Sequence, residues 1–236
     1  MSGPALGVRE PSERYFGQSQ APLLWGFGLL ATAQGGVDSL RKLVMSMALQ
    51  GRLVMPDHDE ESANLLLDRI REARKASGPR RSISIAIPTA EQCRFALPIG
   101  WCWARLDQVA NMRLGKMLDK AKNTGTSRPY LRNTNVQWHR FELDDIKNIR
   151  LEARELEEYR LVAGDLLVCE GGEPGRCAIW RNADLEMYFQ KALHRVRPLG
   201  GVAPEFIQLC LTHDAAFGVL AATSPVPRLS TSPGRN

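Results

Sequence analysis

The chain has 236 residues, with 31 Lys and Arg against 26 Asp and Glu, so its formal net charge is only +5. That excess is too small to identify a polyanionic partner by itself. The hydrophobic fraction of 44% and the charged fraction of 24% are typical of a globular protein long enough to bury a full core. This composition excludes a wholly disordered chain, a collagen and a disulfide-rich scaffold.

Two helices are predicted near the start of the chain, after a lead over residues 1–26 that has no period. Apolar residues from Val37 to Ala48 recur at the three- and four-residue spacings of one helical face, and Gly51 ends this helix. The second helix begins at the acidic run 59–61 and ends in a cluster of Arg and Lys, an order that matches the helix dipole. Its apolar stripe is typical of a helix that pairs with another helix, and it fits equally a helix packed on its own domain. The stripe comprises Leu65, Leu66, Ile70 and Ala73.

Beyond a predicted linker, residues 82–94, the pattern changes to short strands separated by Gly, Asn or Pro. The predicted strands are residues 101–106, 129–136, 165–169, 177–180 and 194–197, and residues 152–159 are expected to form a helical turn. The fold class is therefore α+β, with an N-terminal helical arm of coiled-coil type followed by a mixed domain of mainly short β-strands. Residues 213–236 end in a Ser/Pro-rich stretch without periodicity and are predicted to be a disordered tail.

The five cysteines are widely spaced, and no two stand at the two-residue gap of a zinc knuckle or redox motif. We therefore expect reduced thiols in a reducing cytosol, with neither a structural metal nor a cofactor. The longest apolar stretch, residues 21–33, contains Pro22, Gly26 and Gly28 and is shorter than the ~20 residues that a membrane span needs. No basic segment precedes it as in a signal peptide. The sequence thus predicts a cytoplasmic protein with no membrane partner.

Few residues indicate catalysis. No glycine loop ends in Gly-Lys-Ser or Gly-Lys-Thr, and the four histidines lack metal-ligand spacing. Asp165 and Glu170 suggest a nuclease, because paired carboxylates can hold the Mg²⁺ ions that activate water. Gly172, however, stands where a nuclease motif usually has a lysine. A metal-dependent DNA nuclease is therefore kept as the alternative function, although acids that flank a turn are commonly solvated or structural.

The most basic window is residues 113–140, with seven Lys and Arg and one Asp. Lysines neutralise phosphates irrespective of sequence, whereas Arg pairs with guanine and Asn or Gln with adenine in the major groove. The window therefore suits DNA recognition, although a solvated basic face balanced by the acidic residues 141–158 would give the same pattern. The candidate DNA-binding residues are Lys116, Lys120, Lys122, Arg128, Arg132, Asn133, Asn135, Gln137 and, in a later strand-like segment, His194.

Several segments together resemble the specificity subunits of type I restriction-modification systems. Residues 40–54, followed by Pro56-Asp57 and by residues 65–70, resemble the helical conserved region of that family. Later segments resemble its target recognition domain, and these are residues 97–101, 105–106, 130–136, 159–161, 164–167, 170–172, 175–176 and 190–197. The likeness covers residues 27–212, and the order and separation of the segments make it specific. It predicts a helical conserved region over residues 27–81 and a target recognition domain over residues 95–212.

The resemblance implies a DNA-recognition protein without catalytic activity of its own. Its recognition domain would bind one half of a split target in double-stranded DNA, and its helices would dock methyltransferase subunits in a complex that also holds a restriction/translocase subunit. Leu65, Leu66 and Ile70 are then expected to be exposed subunit-docking residues. Residues 164–176 would form a structural hairpin, with Arg176 as a phosphate contact.

Family members normally carry two recognition domains and two helical regions, whereas the sequence shows one of each. The chain is therefore expected to be a half-length subunit, which would pair with a second copy, or a truncated one. A non-functional remnant is the third reading. In the family, a long helix follows the recognition domain. No such helix is predicted in this sequence before the Ser/Pro-rich tail.

Overall fold

The structure, a computed structural model, describes residues 28, 32–54, 60–76, 93–119 and 123–220. The chain divides into two compact units, residues 1–44 and 45–236. Helix α1 (Gly36–Leu49) begins in the first unit, and every later helix and strand belongs to the second. The predicted lead, most of the predicted linker, and residues 221–236 of the predicted tail lie outside the described residues.

Local hydrogen bonds close the end of helix α1 and the start of helix α2 (Ala63–Ala76). Gly51 has φ +63°, and the N–H of Arg52 donates to the carbonyl of Met47 at 2.8 Å, so the end of α1 is closed as predicted. Helix α2 begins after Ser62, whose hydroxyl accepts a hydrogen bond from the N–H of Asn64 at 3.3 Å. The predicted acidic start is therefore a few residues too early, and the acids precede the helix instead.

A four-stranded sheet with order β1-β9-β6-β7 forms the centre of the second unit. Its strands are β1 (Ala110–Leu114), β6 (Leu166–Cys169), β7 (Cys177–Ile179) and β9 (Leu193–Pro198), and every neighbouring pair is antiparallel. A one-turn helix, α3 (Leu106–Val109), leads into β1. Helix α5 (Pro204–Ala216) packs against β7.

A second sheet has three strands in the order β5-β2-β8. Strand β2 (Thr126–Leu131) pairs antiparallel with β5 (Lys147–Leu151) and parallel with β8 (Tyr188–Phe189). A short helix, α4 (Ala153–Tyr159), follows β5. Strands β3 (Val136–Gln137) and β4 (Arg140–Phe141) form a separate two-stranded hairpin.

Both faces of the four-stranded sheet are covered by apolar side chains. Successive side chains of a strand point to opposite faces, and Leu166 belongs to one buried cluster while Leu167 belongs to another. The first cluster also contains Val196 and Ile207, and the second contains Trp180. Burial on two sides explains why β6 is an uninterrupted apolar run rather than an alternating one.

The predicted α+β class is confirmed, and several element boundaries differ from the prediction. Strands at 165–169, 177–180 and 194–197 are present within a residue or two, as is the helical turn at 152–159. The strand predicted at 101–106 is wrong, because residues 101–105 have no regular structure and residue 106 begins α3. Helix α5 runs to Ala216, so a helix does follow the sheets and the predicted tail begins too early.

All five cysteines are free thiols, and burial makes two of them poor nucleophiles. Burial raises the pKa of Cys177 to about 12 and that of Cys210 to about 11. Within the described ranges, no group of three or more His, Cys, Asp or Glu residues could hold a metal ion. In the same part of the chain, no helix is both long enough and apolar enough to cross a membrane.

Candidate nucleic-acid interface

Two hairpin tips meet at one edge of the second unit. The first begins with the 3-10 turn Asn133–Asn135 and continues through the two-residue turn Trp138-His139 between β3 and β4. The second is the loop between β6 and β7, which ends at Arg176. The N–H of His139 donates to the carbonyl of Cys177 at 3.0 Å, which fastens the first tip to the start of β7. We call residues 132–140 and 173–176 the recognition surface.

Asn135 holds the first tip together from inside. Its residue is only 3% exposed, and its side-chain oxygen accepts a hydrogen bond from the N–H of Arg132 at 2.9 Å. Its amide nitrogen donates to the carbonyls of Glu142 at 2.9 Å and Asp145 at 3.2 Å. An amide whose groups are used in this way is not presented to a base edge, so the structure gives Asn135 a positioning role.

Arg132 is paired within the same tip. Its Nη2 donates to the carboxylate of Asp145 at 2.6 Å and to the carbonyl of the same residue at 2.9 Å. The hydrogen bond from Arg132 lowers the pKa of Asp145 below its ordinary value. Asp145 is exposed whereas the Arg132 side chain is largely buried, so water screens this ion pair from the Asp145 side.

Arg176 joins the second tip to the first. Its Nη2 donates to the carbonyl of Asn133 at 3.2 Å, and its Nη1 lies 3.6 Å from the Oε2 atom of Glu173. That same Oε2 atom accepts a hydrogen bond from the indole N–H of Trp138 at 3.1 Å. The two tips therefore share one polar network, in which a carboxylate is held between an indole and a guanidinium.

The polar side chains on the outer side of this network are only partly engaged. Gln137 donates through Nε2 to the carbonyl of Thr134 at 3.1 Å, a contact exposed to solvent. Asn133 is half-buried and Thr134 is exposed. His139 has φ +64° at the second position of its two-residue turn, a conformation that non-glycine residues adopt at some cost and that often marks functional sites.

The structure brings together five of the predicted DNA-binding residues and leaves the others apart. The five on the recognition surface are Arg132, Asn133, Asn135, Gln137 and Arg176. Lys116 is paired with Glu155, and both side chains are largely buried. Arg128 lies on β2 and pairs with Glu186 at 2.8 Å, while His194 is half-buried on β9 opposite Leu114. Lys120 and Lys122 lie outside the described residues.

Sequence reasoning missed Glu173 and His139. Glu173 lies in the hairpin predicted over residues 164–176, where Asp165 and Glu170 are the acids considered as metal ligands. The sequence gives no signal for His139, because the β3–β4 hairpin is not predicted. Its two-residue turn requires a positive φ in at least one residue.

The carboxylate pair on which the nuclease alternative depends is not formed. Asp165 is fully buried and accepts hydrogen bonds from Arg197 Nε at 2.6 Å, Arg197 Nη2 at 2.8 Å and the Val162 N–H at 2.9 Å. Glu170 is exposed at the opposite end of β6, which at ~3.3 Å per residue places the two backbones roughly 16 Å apart. Groups at that separation cannot share a metal ion, so the Asp165/Glu170 nuclease site is a wrong prediction.

The predicted docking stripe on α2 is only partly exposed. Leu65 is 60% exposed, Leu66 is half-buried and Ile70 is 3% exposed, so the expected exposure of Ile70 is wrong. A Cβ atom at Gly200 would lie 2.4 Å from Ile70, which shows how closely α2 lies on this turn. Arg74 then donates to the carbonyls of Asp107 at 2.7 Å and Ala110 at 2.8 Å. Helix α2 is thus packed on its own domain.

An apolar cavity of about 530 Å³ lies between α2, residues 94–106 and α5. Leu66, Trp101 and Phe206 are among the side chains that line it, and the rings of Trp101 and Phe206 meet edge to face with centroids 6.2 Å apart. One polar rim is the ion pair between Arg94 and Asp214 at 3.0 Å. Leu65, one position along α2 from Leu66, is exposed and does not line this cavity.

The chain is similar in sequence to curated proteins of one kind. The chain is 23% identical over 209 residues to the specificity subunit of the Escherichia coli type I restriction enzyme EcoEI, a match that covers 84% of this chain and 35% of that subunit. It is 28% identical over 147 residues to the EcoAI specificity subunit of the same organism, covering 60% of this chain and 25% of that one.

A solved structure, the HsdS subunit from Thermoanaerobacter tengcongensis, is similar with a TM-score of 0.42 and 16% identity, over 69% of this chain and 40% of that one. No family model matches the chain. The chain spans about a third or less of the curated relatives it matches. It covers 35% of the EcoEI subunit and 25% of the EcoAI subunit. The chain is therefore similar in sequence to the specificity subunits of type I restriction enzymes, in agreement with the resemblance seen in its separate segments.

Proposed function

We propose that the chain recognises DNA as part of a type I restriction-modification specificity protein. It binds one half of a split target in double-stranded DNA and is not itself catalytic. Methylation and cleavage belong to methyltransferase and restriction/translocase partner subunits, and a second copy of the chain is a further possible partner. The observation that carries the proposal is the recognition surface, where two joined hairpin tips present polar side chains beside paired arginines.

The charge arrangement of this surface supports contact with a polyanion. Arg132 is held by an exposed carboxylate, and ion pairs of this kind exchange readily for phosphate because water screens both states. Arg176 is anchored by a backbone carbonyl, so its guanidinium is already oriented before any ligand arrives. We assign Arg132 and Arg176 to phosphate contacts, and retain Lys116, Lys120, Lys122, Arg128 and His194 as weaker candidates for the flanking duplex.

Base recognition is assigned to the exposed amide of Gln137 and to the neighbouring Asn133. The Gln137 contact to Thr134 uses one donor at the surface, and the amide can turn to form a bidentate pair with adenine. Asn135 supports these residues from below through its three hydrogen bonds. The base preference is therefore expected to depend on the side chains of the hairpin tips, whose shape depends on the buried amide of Asn135.

Replacing Gln137 with alanine should change sequence preference without weakening binding to random DNA. One bidentate contact discriminates by ~1–3 kcal/mol, which corresponds to roughly 5- to 150-fold between matched and mismatched duplexes. The measurement is fluorescence anisotropy with duplexes selected from a random pool, at two salt concentrations and with a methyltransferase subunit supplied. The matched control is Asn148→Ala, an exposed amide on β5 outside the recognition surface.

Binding that weakens steeply with added salt, and a preference lost only in Gln137→Ala, would support the proposal. A chain that binds no duplex at low salt even with the methyltransferase subunit present would contradict it. Cleavage of DNA by the purified chain with Mg²⁺ would revive an enzymatic function.

Helix α2 and the adjoining cavity are proposed as the docking site for a methyltransferase subunit. Leu65 is the exposed apolar residue of the predicted stripe, and Leu66 lines the cavity behind it. Ile70 supports the helix from below, because its side chain is buried against Gly200. An exposed apolar side chain on α2 and an apolar cavity beside the same helix are both typical of a protein interface.

Leu65→Lys is expected to weaken association with the methyltransferase subunit at least tenfold, or ~1.4 kcal/mol, since a charge would enter the apolar contact. Analytical ultracentrifugation of the mixed subunits measures the effect. Leu185→Lys is the matched control, because Leu185 is also exposed but lies in a loop away from α2. Equal association of the two variants would contradict docking at α2, and wild-type self-association lost only in Leu65→Lys would identify a second copy as the occupant.

A further inference from the structure

The position of Glu173 on a surface proposed to bind DNA requires an explanation. Its side chain is 60% exposed, and its carboxylate lies on the recognition surface between Trp138 and Arg176. A carboxylate near a phosphate is repelled, so a residue that only approached the backbone of the duplex would weaken binding. The carboxylate is nevertheless held in place by two groups, the indole N–H of Trp138 through a hydrogen bond and the guanidinium of Arg176 through an ion pair.

Both of these contacts are made to the same carboxylate oxygen of Glu173, Oε2. Trp138 Nε1 donates to Oε2 at 3.1 Å, and Arg176 Nη1 lies 3.6 Å from the same atom. Among the described residues, the Oε1 atom has no hydrogen-bond donor, and the neighbouring Gly171 and Gly172 leave open space beside the loop. The geometry therefore presents an oriented, acceptor-only oxygen to solvent at the tip of the second hairpin.

An ionised carboxylate accepts hydrogen bonds and donates none. In the major groove of DNA, the donors that a protein can reach are the exocyclic amino groups, N4 of cytosine and N6 of adenine. We propose that Glu173 is a specificity-determining residue, whose carboxylate accepts a hydrogen bond from such an amino group. This inference rests on the proposed function, because it takes the recognition surface as the one that meets the duplex.

Trp138 is the positioning residue in this arrangement. Its indole is half-buried and packs at the edge of the cluster that contains Ile179 and Val196, so its N–H is held in a fixed direction. A hydrogen bond from a rigid indole fixes the Glu173 carboxylate more firmly than a solvated lysine would, because little side-chain entropy is lost. The neighbouring Glu170 is exposed, and within the described part of the chain its carboxylate accepts no such hydrogen bond.

The test compares the sequence preferences of the full chain, Glu173→Gln and Glu170→Gln by selection from a randomised duplex pool, again with the methyltransferase subunit supplied. Glutamine keeps the shape of glutamate but removes the charge and adds a donor. We expect Glu173→Gln to lose discrimination by roughly fivefold or more at one base-pair position. Duplexes that carry N4-methylcytosine or N6-methyladenine at that position identify which base donates.

Glu170→Gln should bind all sequences somewhat more tightly, as the loss of one repelling charge predicts, and should keep the wild-type preference. Trp138→Phe, which retains the ring but removes the N–H, should reduce discrimination at the same position as Glu173→Gln. If Glu173→Gln tightens binding to all sequences and keeps the wild-type preference, Glu173 does not contact a base and the inference fails. If the wild-type chain itself has no preference, the proposed function fails first, so the two failures are distinct.

Discussion

Asp165→Ala is expected to lower the free energy of unfolding by about 3 kcal/mol, the usual cost of removing one partner from a buried ion pair. Asp165 is fully buried, and Arg197 contacts both of its oxygens at 2.6 and 2.8 Å. Its removal leaves a half-buried guanidinium and the N–H of Val162 without their acceptor. The hydrogen bond with Asp165 raises the pKa of Arg197 in the wild-type chain. Without it, arginine still keeps its charge, because a guanidinium is effectively always protonated in proteins, so the penalty is not avoided by deprotonation.

Urea denaturation followed by circular dichroism measures this effect. The matched control is Asp144→Ala, an exposed aspartate that should change stability by no more than about 0.5 kcal/mol. Asp165→Asn should fall between the two, because an amide oxygen still accepts one hydrogen bond while the charge is lost. A loss below about 0.5 kcal/mol in Asp165→Ala would show that the ion pair does not stabilise the fold.

Gly125→Ala is expected to destabilise the second unit by a similar amount, about 3 kcal/mol, through two effects that add. Gly125 has φ +97°, a conformation that side chains disfavour. A Cβ atom there would also lie 2.1 Å from the carbonyl oxygen of Leu151, at the end of β5. Because that neighbour is backbone, the clash can be relieved only by separating β2 from β5.

Two other glycines separate these effects. Gly164 has φ +92° with nothing within 4 Å of its added Cβ, so Gly164→Ala should cost only the strain of about 1 kcal/mol. Gly171 has neither feature, and Gly171→Ala should be close to neutral. Thermal unfolding of the three variants should therefore rank them in this order. Equal losses for Gly125→Ala and Gly164→Ala would show that the strands move apart without cost.

Elements stabilised by local interactions were the ones that the sequence predicted well. Helix α1 depends on its own apolar spacing and on Gly51, and the β6–β7 hairpin depends on two short apolar runs with glycines between them. Strands β1, β5 and β8 were missed. Strand β8 has two residues and exists because it pairs in parallel with β2, which lies far away in sequence. No local pattern encodes such a pairing.

For the candidate site, the sequence predicts which residue types are present better than how their side chains are arranged. The basic window contains Arg132 and Gln137, which lie on the recognition surface, but the acids that neutralise other cations come from distant segments, as Glu186 does for Arg128. Burial of Asn135 and Ile70 likewise depends on tertiary neighbours, in the case of Ile70 on Gly200. Charge counts along a chain show which cations are present, whereas only the fold shows which of them are already paired.

The strand order of the central sheet also constrains the order in which the protein can be assembled during synthesis. Strand β1 ends at Leu114, whereas β9, its partner in the sheet among the described residues, begins at Leu193 and is therefore synthesised later. Until residue 198 emerges, β1 exposes an unpaired edge and β6 lacks the neighbour that joins it to β1. The central sheet therefore closes through a contact between distant parts of the chain, and its nascent form is open to mispairing until β9 emerges.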